Sequence, residues 1–153
     1  MLEYKTGDLF SSGAEVLVNP VNCVGVMGKG LALEFRKRFP WIRPEYERLC
    51  RERRMQPGSV WLVYPPGAGE PRVALAATKG HWKCASQLTW IDEILVTLRG
   101  MTNDVCSRYR TLAMPWLGCG LGGLKREDVK LLVDRRFKGV DEVKVTVWTP
   151  EGT

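Results

Sequence analysis

The stretch Ala14–Phe39, AEVLVNPVNCVGVMGKGLALEFRKRF, decides the fold. It begins with an apolar, β-branched run, Ala14–Asn19, that reads as a buried strand ended by Pro20. The glycine-rich loop Gly25–Gly30 follows, and LALEFRKRF then carries a helical pattern stopped by Pro40. Outward from this unit the alternation continues. A second helix is expected over Pro44–Arg54, with Pro57-Gly58 as the turn after it. Ser59–Tyr64 and Arg72–Thr78 read as strands, joined by PPGAGEP, which can continue neither. Ser86–Leu98 has apolar residues at Leu88, Ile91, Leu95 and Leu98, the spacing of a helix face. Thr111–Trp116 is a short apolar strand leading into the loop LGCGLGG. Arg126–Phe137 reads as an amphipathic helix and Glu142–Trp148 as a closing strand. Strands that alternate with helices predict an α/β sandwich with a largely parallel central sheet.

At 153 residues, with 44% hydrophobic and 26% charged residues, the chain has the size and proportions of one soluble globular domain. These values exclude a coiled coil, a collagen-like repeat and a disordered tail. No apolar run approaches the ~18 residues of a membrane span, and MLEYKTGDLF has no signal-peptide pattern, so a cytoplasmic protein with no membrane partner is expected. The five cysteines, Cys23, Cys50, Cys84, Cys106 and Cys119, are widely spaced, with no C-x-x-C pair, and His81 is the only histidine. No disulfide framework, metal site or cofactor is expected from that set.

The net charge of +6 is concentrated. Arg36–Arg54 holds eight basic residues (Arg36, Lys37, Arg38, Arg43, Arg48, Arg51, Arg53, Arg54) against Glu45, Glu47 and Glu52. Such a face suits a polyanionic partner. It is equally what a solvated helix looks like when laced with i,i+4 pairs such as Glu47–Arg51.

Two glycine loops, Gly25–Gly30 and Gly118–Gly123, each leave a strand and enter a helix. Glycine is needed where backbone must approach a ligand closely, and exposed N–H groups at a helix start form an anion cradle. Loops at the carboxyl ends of parallel strands share one sheet edge, so both loops could face one crevice and hold two adjacent phosphates. A P-loop would need glycine in place of Cys23 and Ser or Thr in place of Gly30. Gly118-Cys119-Gly120-Leu121-Gly122-Gly123 matches G-x-G-x-x-G in form. The acid that a dinucleotide fold places at the next strand's end is, however, Trp148-Thr149 here.

GDLF (Gly7–Phe10), NPVNCVGVMGKGLALEF (Asn19–Phe35), TKGHWK (Thr78–Lys83) and PWLGCGLGGL (Pro115–Leu124) together resemble a macrodomain, over nearly the whole chain. The resemblance is to the ADP-ribosyl glycohydrolase branch that includes the DarG antitoxins and the terminal ADP-ribose protein glycohydrolase. It implies a three-layer α/β/α sandwich over residues 1–153, one macrodomain that could be part of a longer chain. It also implies ADP-ribose as ligand, its diphosphate between the two loops. The implied contacts are Asp8 and Leu9 for the adenine and Asn22 for the distal ribose. Gly28, Lys29 and Gly30 in the first loop, and Leu117, Gly118, Cys119, Gly120, Leu121 and Gly122 in the second, would complete the cradle. Gly122 stands where the terminal ADP-ribose glycohydrolase carries a catalytic aspartate, so that half of its mechanism is absent.

Cleaving an N-glycosidic bond usually calls for paired carboxylates, but neither glycine loop contains Asp or Glu. Glu127 and Asp128 lie beyond the second one. Lys79, at the end of a buried strand, is the candidate, and the DarG resemblance implies the key catalytic role for it. A neutral amine could attack the anomeric carbon of an opened ribose, which needs desolvation or repulsion from a neighbour such as Lys29. Alternatively, the ammonium could stabilise the leaving base. His81 is expected as a neighbour of the site or a DNA contact, and Trp82 as a stacking platform for a splayed base. Cys23 and Cys119 read as small fillers beside the loops rather than nucleophiles.

The function expected is removal of ADP-ribose from thymidine in single-stranded DNA, reversing a DarT-type toxin, which could itself be a partner. A protein de-ADP-ribosylase acting on carboxylate-linked ADP-ribose and a non-catalytic ADP-ribose-binding module are the alternatives.

Overall fold

The structure, a computed structural model, describes residues 1–103 and 109–152, with Asn103 as backbone only. Cys106 therefore lies outside the described residues. Six strands form one sheet: β1 (Leu2–Thr6), β2 (Val16–Val21), β3 (Val60–Val63), β4 (Arg72–Ala77), β5 (Thr111–Pro115) and β6 (Lys144–Thr149). Their order across the sheet is β1-β6-β5-β2-β4-β3. Every neighbouring pair is parallel except β3 with β4, which is antiparallel, so the sheet is mixed and largely parallel as expected.

Four helices cover the two faces. On one face α1 (Gly30–Arg38) and α2 (Ile42–Arg51) seat Phe35, Ile42, Tyr46 and Leu49 against Leu17, Val21, Val73 and Leu75. On the other, α3 (Leu88–Asn103) and α4 (Arg126–Phe137) seat Ile91, Leu95, Val129 and Phe137 against Val16, Ala74, Leu112 and Val145. Alternate residues of β2 thus serve opposite cores, Val16 and Val18 one and Leu17 and Val21 the other. Burial on both faces is why Val16–Val18 form an unbroken apolar run. Each fully buried side chain of this size contributes about 1.5–3 kcal/mol of transfer free energy.

Two expectations need correction. Pro20 does not end β2, which runs on to Val21. Arg72 N donates to Glu15 O, Thr78 N to Val21 O and Cys23 N to Gly80 O, so the odd-numbered residues turn their peptide groups toward β4. Pro20 has the opposite parity, and its missing N–H faces the β5 side, where pairing stops at Leu17. A proline there costs no ladder bond. The second helix begins at Ile42, two residues before Pro44, because a proline in the first turn lacks only an N–H that has no helical partner anyway. It ends at Arg51 rather than Arg54. Arg53 takes a left-handed φ of 56°, and Arg54 N and Arg53 N bond back to Leu49 O and Cys50 O. That is a Schellman close built on arginine instead of the usual glycine.

The α3–α4 layer carries the one bidentate ion pair among the described residues that joins two helices. Arg136 Nε and Nη2 donate to Asp92 Oδ1 and Oδ2 at 2.9 and 2.8 Å. The Arg136 hydrogen bonds hold the Asp92 carboxyl below the usual carboxylate range. A carboxyl depressed in the folded state stabilises above its unfolded value of ~3.9 and loses that contribution as pH falls through the folded value. Arg136→Gln is therefore expected to lower the urea midpoint at neutral pH. The difference from wild type should shrink as the pH falls below ~3.9 and vanish once Asp92 is protonated in the folded state as well. Equal midpoints at pH 7 would leave the pair without a role in stability.

Candidate functional site

β2 and β5 lie side by side, yet their register pairs only Val16 with Leu112 and Leu17 with Ala113. Beyond that point they part. β2 leads to α1 on one face, whereas β5 leads to α4 on the other, so the chain leaves the two neighbouring strands in opposite directions. This is the topological switch point at which an open α/β sheet forms a crevice at its carboxyl edge. The loops after β1, β2, β4 and β5 all leave that edge. They hold Asp8, the first glycine loop, Lys79 and the second glycine loop.

Both glycine loops carry unused amides. In the second, Cys119 N bonds Trp116 O, Gly123 N bonds Gly120 O and Leu124 N bonds Gly118 O, at 3.2, 3.3 and 2.9 Å. The amides of Gly118, Gly120, Leu121 and Gly122 make no backbone bond among the described residues. In the first, the same holds for Met27, Gly28, Lys29 and Gly30, and Lys29, the residue before α1, offers no side-chain cap. Uncapped amides at a helix start, with the helix dipole behind them, favour an anion. Glycine is obligatory at two places. At Gly118, φ is +76° and a Cβ would sit 2.8 Å from Leu124 Cδ1. At Gly122 a Cβ would collide with the Gly118 carbonyl, lying 2.8 Å from its carbon. The loop is thus folded onto itself, and no side chain, aspartate included, can stand at 122 in this conformation.

Lys79 is buried, 9% exposed, and its Nζ donates to Trp82 O at 3.2 Å. No carboxylate pairs with it among the described residues. The β2–β4 ladder continues past both strands through Thr78 N to Val21 O and Cys23 N to Gly80 O, which sets Lys79 beside Asn22 and Cys23. Cys23 Sγ donates to Lys79 O at 3.4 Å. Lys29, on the first glycine loop, is exposed.

Asn22 is spent largely on its own loop. Its Nδ2 donates to Val26 O at 2.8 Å, and its Oδ1 accepts from Val24 N and Val26 N at 3.1 and 3.4 Å. The Tyr46 hydroxyl, 2.8 Å from both Asn22 O and Oδ1, locks the arrangement from α2. Burial pushes the Tyr46 phenol up, so it remains a donor. One Nδ2 hydrogen of Asn22 is left for a ligand. Asp8 caps the turn Leu9–Ser11 by accepting from Phe10 N at 3.0 Å, while its neighbour Leu9 is buried in the α1–α2 core. Leu9 can therefore meet a ligand only through its backbone. Phe10 packs edge-on against Phe35 with centroids 4.8 Å apart, fixing the Asp8 turn to α1.

Burial raises the Cys23 thiol to about 12 and the Cys119 thiol to about 11, so both stay protonated at neutral pH and neither is a nucleophile. Both are half-buried rather than fully buried. His81 Nδ1 accepts from Lys83 N at 3.0 Å and its ring lies 5.1 Å from that of Trp82. Trp82 is 46% exposed, with Lys83 Nζ 4.9 Å from its ring centroid. Val24, Val26 and Leu121 are likewise exposed on the two glycine loops.

Two residues that position the site escape a reading of the sequence. Ser86 Oγ donates to Thr78 O at 2.5 Å and Ser86 N to Gly122 O at 2.9 Å, tying the base of the lysine loop to the second glycine loop. In sequence it reads as a helix start. Tyr46, the clamp on Asn22, lies within the second helical stretch and belongs to no motif. No group of His, Cys, Asp and Glu among the described residues could hold a metal, and no helix among them is long and apolar enough to cross a membrane.

The Macro domain family model matches residues 18–133. The chain is 36% identical over 153 residues to the DNA ADP-ribosyl glycohydrolase of Mycobacterium tuberculosis, covering 99% of this chain and 43% of that protein. It thus spans about two fifths of the length of such curated relatives. The macrodomain of Mycobacterium tuberculosis DarG superposes with a TM-score of 0.91 at 36% identity, covering 99% of both chains. Thermosipho africanus DarTG in complex with ADP-ribose superposes with a TM-score of 0.85 at 30% identity, over 96% of this chain and 41% of that one. A sheet that opens between β2 and β5, glycine loops on both sides of the opening and a family match spanning both make this chain a member of the macrodomain family.

Proposed function

We propose that this chain is an ADP-ribosyl glycohydrolase that removes ADP-ribose from thymidine in single-stranded DNA, reversing the modification made by a DarT-type toxin. The observation that carries the reading is Lys79. It is a buried lysine without a carboxylate partner, fastened at the crevice between two loops of free amides. The names of the relatives, and ADP-ribose in the Thermosipho africanus complex, support the choice of substrate. The loop amides hold the diphosphate, with Asp8, Leu9 and Asn22 toward the two ends of the ligand. Lys79 acts at the anomeric carbon or on the departing base. In the hydrolysis the bond from that carbon to the base nitrogen breaks, water supplies the oxygen that replaces it, and a proton goes to the base. A lysine suits this task because no carboxylate can reach the reacting carbon from position 122. Trp82, exposed beside Lys79, offers a face for the base, and His81 holds the turn that presents it. A DNA substrate puts the enzyme in the cytoplasm, with the cognate toxin as its functional partner.

One incubation tests this reading. Wild-type protein is given an oligonucleotide carrying ADP-ribosyl-thymidine and, separately, a protein carrying ADP-ribosyl-glutamate. Release of ADP-ribose from the oligonucleotide at a rate far above that from the protein is expected. Release from the glutamate linkage alone would make the chain a protein de-ADP-ribosylase. Tight ADP-ribose binding with release from neither would make it a binding module.

A further inference from the structure

A second cleft lies on the outer flank of the first glycine loop. It is lined by Gly25, Val26 and Met27 of that loop and by Arg36, Arg43 and Glu47 of α1 and α2, and encloses about 180 Å³. None of its lining comes from the second glycine loop or from the lysine loop, so it adjoins the ADP-ribose crevice without being part of it. That is room for a phosphate group with some of its hydration.

The charges around it are not cancelled. On the same two helices, Arg38 is paired with Glu34, and Arg48 with both Glu45 and Glu52. Those arginines answer to the solvated-helix description. Arg36 has no ion pair among the described residues, and Arg43 gives only its Nε to Glu47, at 2.7 Å. That bond leaves the Arg43 Nη groups free and holds the guanidinium in place, which reduces the cost of ordering it around a ligand. Arg51 also acts on Glu47, whose carboxyl is held low first by Arg43 and then by Arg51 and Arg36. Arg43 thus bonds Glu47 directly, while Arg51 and Arg36 act on the same carboxylate through their charge alone. Val24 and Val26, 45% and 44% exposed, stand on the loop beside them.

We infer that this cleft seats a backbone phosphate of the single strand that carries the modified nucleotide, with Arg36 and Arg43 contacting the phosphate and the exposed valines meeting the adjoining sugar or base. The inference rests on the proposed function, which puts the modified nucleotide at the neighbouring crevice and requires the strand to leave it along one flank. Guanidinium groups match phosphate oxygens bidentately, and a cationic groove bordered by apolar faces is how single strands are held without sequence readout. An acidic peptide would use the cations but would have little use for the valines.

The test is the double variant Arg36→Gln with Arg43→Gln. Binding of an unmodified ten-residue oligothymidylate should weaken about tenfold at low salt. The slope of log K against log salt should flatten by about 0.7 for each phosphate that the variant no longer neutralises. On an ADP-ribosylated oligonucleotide the variant's KM should rise while kcat holds, whereas on ADP-ribosyl-thymidine without flanking phosphates neither should change. Unchanged affinity and slope would overturn the inference. So would a polyglutamate peptide that competes as well as the oligonucleotide and weakens as much in the variant. Failure of the wild type to hydrolyse either substrate would remove the proposed function, while the binding and slope measurements would still decide the cleft.

Discussion

Lys79→Ala is expected to abolish release of ADP-ribose from modified thymidine while leaving affinity for free ADP-ribose within about tenfold, no more than ~1.4 kcal/mol of binding. The asymmetry follows from where the lysine sits. In the proposed complex the diphosphate is met by backbone amides on the two glycine loops, none of which depends on the Lys79 side chain. The amine instead hangs from the Trp82 carbonyl at the end of β4, with no carboxylate to neutralise it among the described residues. An interaction realised mainly in the transition state lowers turnover far more than it lowers ground-state binding. Removing it by alanine should cost orders of magnitude in kcat. Lys79→Arg then separates the two routes open to the lysine. Arginine keeps the charge but cannot act as a neutral amine. Substantial turnover in the arginine variant would exclude nucleophilic attack and leave stabilisation of the departing base. Loss of turnover in the arginine variant, with ADP-ribose binding retained, is the result expected of an attacking amine. Wild-type turnover in Lys79→Ala would take the lysine out of the mechanism.

What the sequence discloses about this site and what it hides follow from physical scale. α1 and α4 are legible because glycine, proline and an apolar period are local signals, and α4 has the bounds expected. The first strand, Leu2–Thr6, is not. It lies at the sheet edge, pairs only with β6, and buries none of its residues fully, so Glu3 and Lys5 interrupt any apolar run. The left-handed close of α2 at Arg53 has no sequence mark, since the usual glycine is missing. Pro20 misleads because a proline ends a strand only when its N–H is needed, and that depends on which neighbour its peptide faces. Ser86 and Tyr46 stay hidden for a related reason. Their partners, Gly122 O and Asn22, lie 36 and 24 positions away, and a hydrogen bond across that span leaves no periodicity to read. Residue types reveal the chemistry available at the crevice. Only the folded chain reveals which of them are already spent on holding it open.

Gly120→Glu should reduce ADP-ribose affinity at least a hundredfold, ~2.7 kcal/mol, without unfolding the protein. Position 120 suits the test because a Cβ there meets nothing within 4 Å and the residue is exposed, so the new side chain costs the fold little. The same openness is what a diphosphate lying over the free amides of Gly120, Leu121 and Gly122 requires. A glutamate would fill that space and place a like charge against the anion. Gly122→Ala supplies the contrast. Its Cβ would drive into the Gly118 carbonyl, so the loop must refold, and the Ser86 N to Gly122 O bond that anchors it to the lysine loop goes with it. That variant should lose binding together with thermal stability, whereas Gly120→Glu should lose binding alone. Calorimetric titration with ADP-ribose, alongside thermal melts of both variants, reads the difference. If Gly120→Glu kept wild-type affinity while remaining folded, the diphosphate could not lie on this loop, and the cradle would have to be sought elsewhere along the carboxyl edge of the sheet.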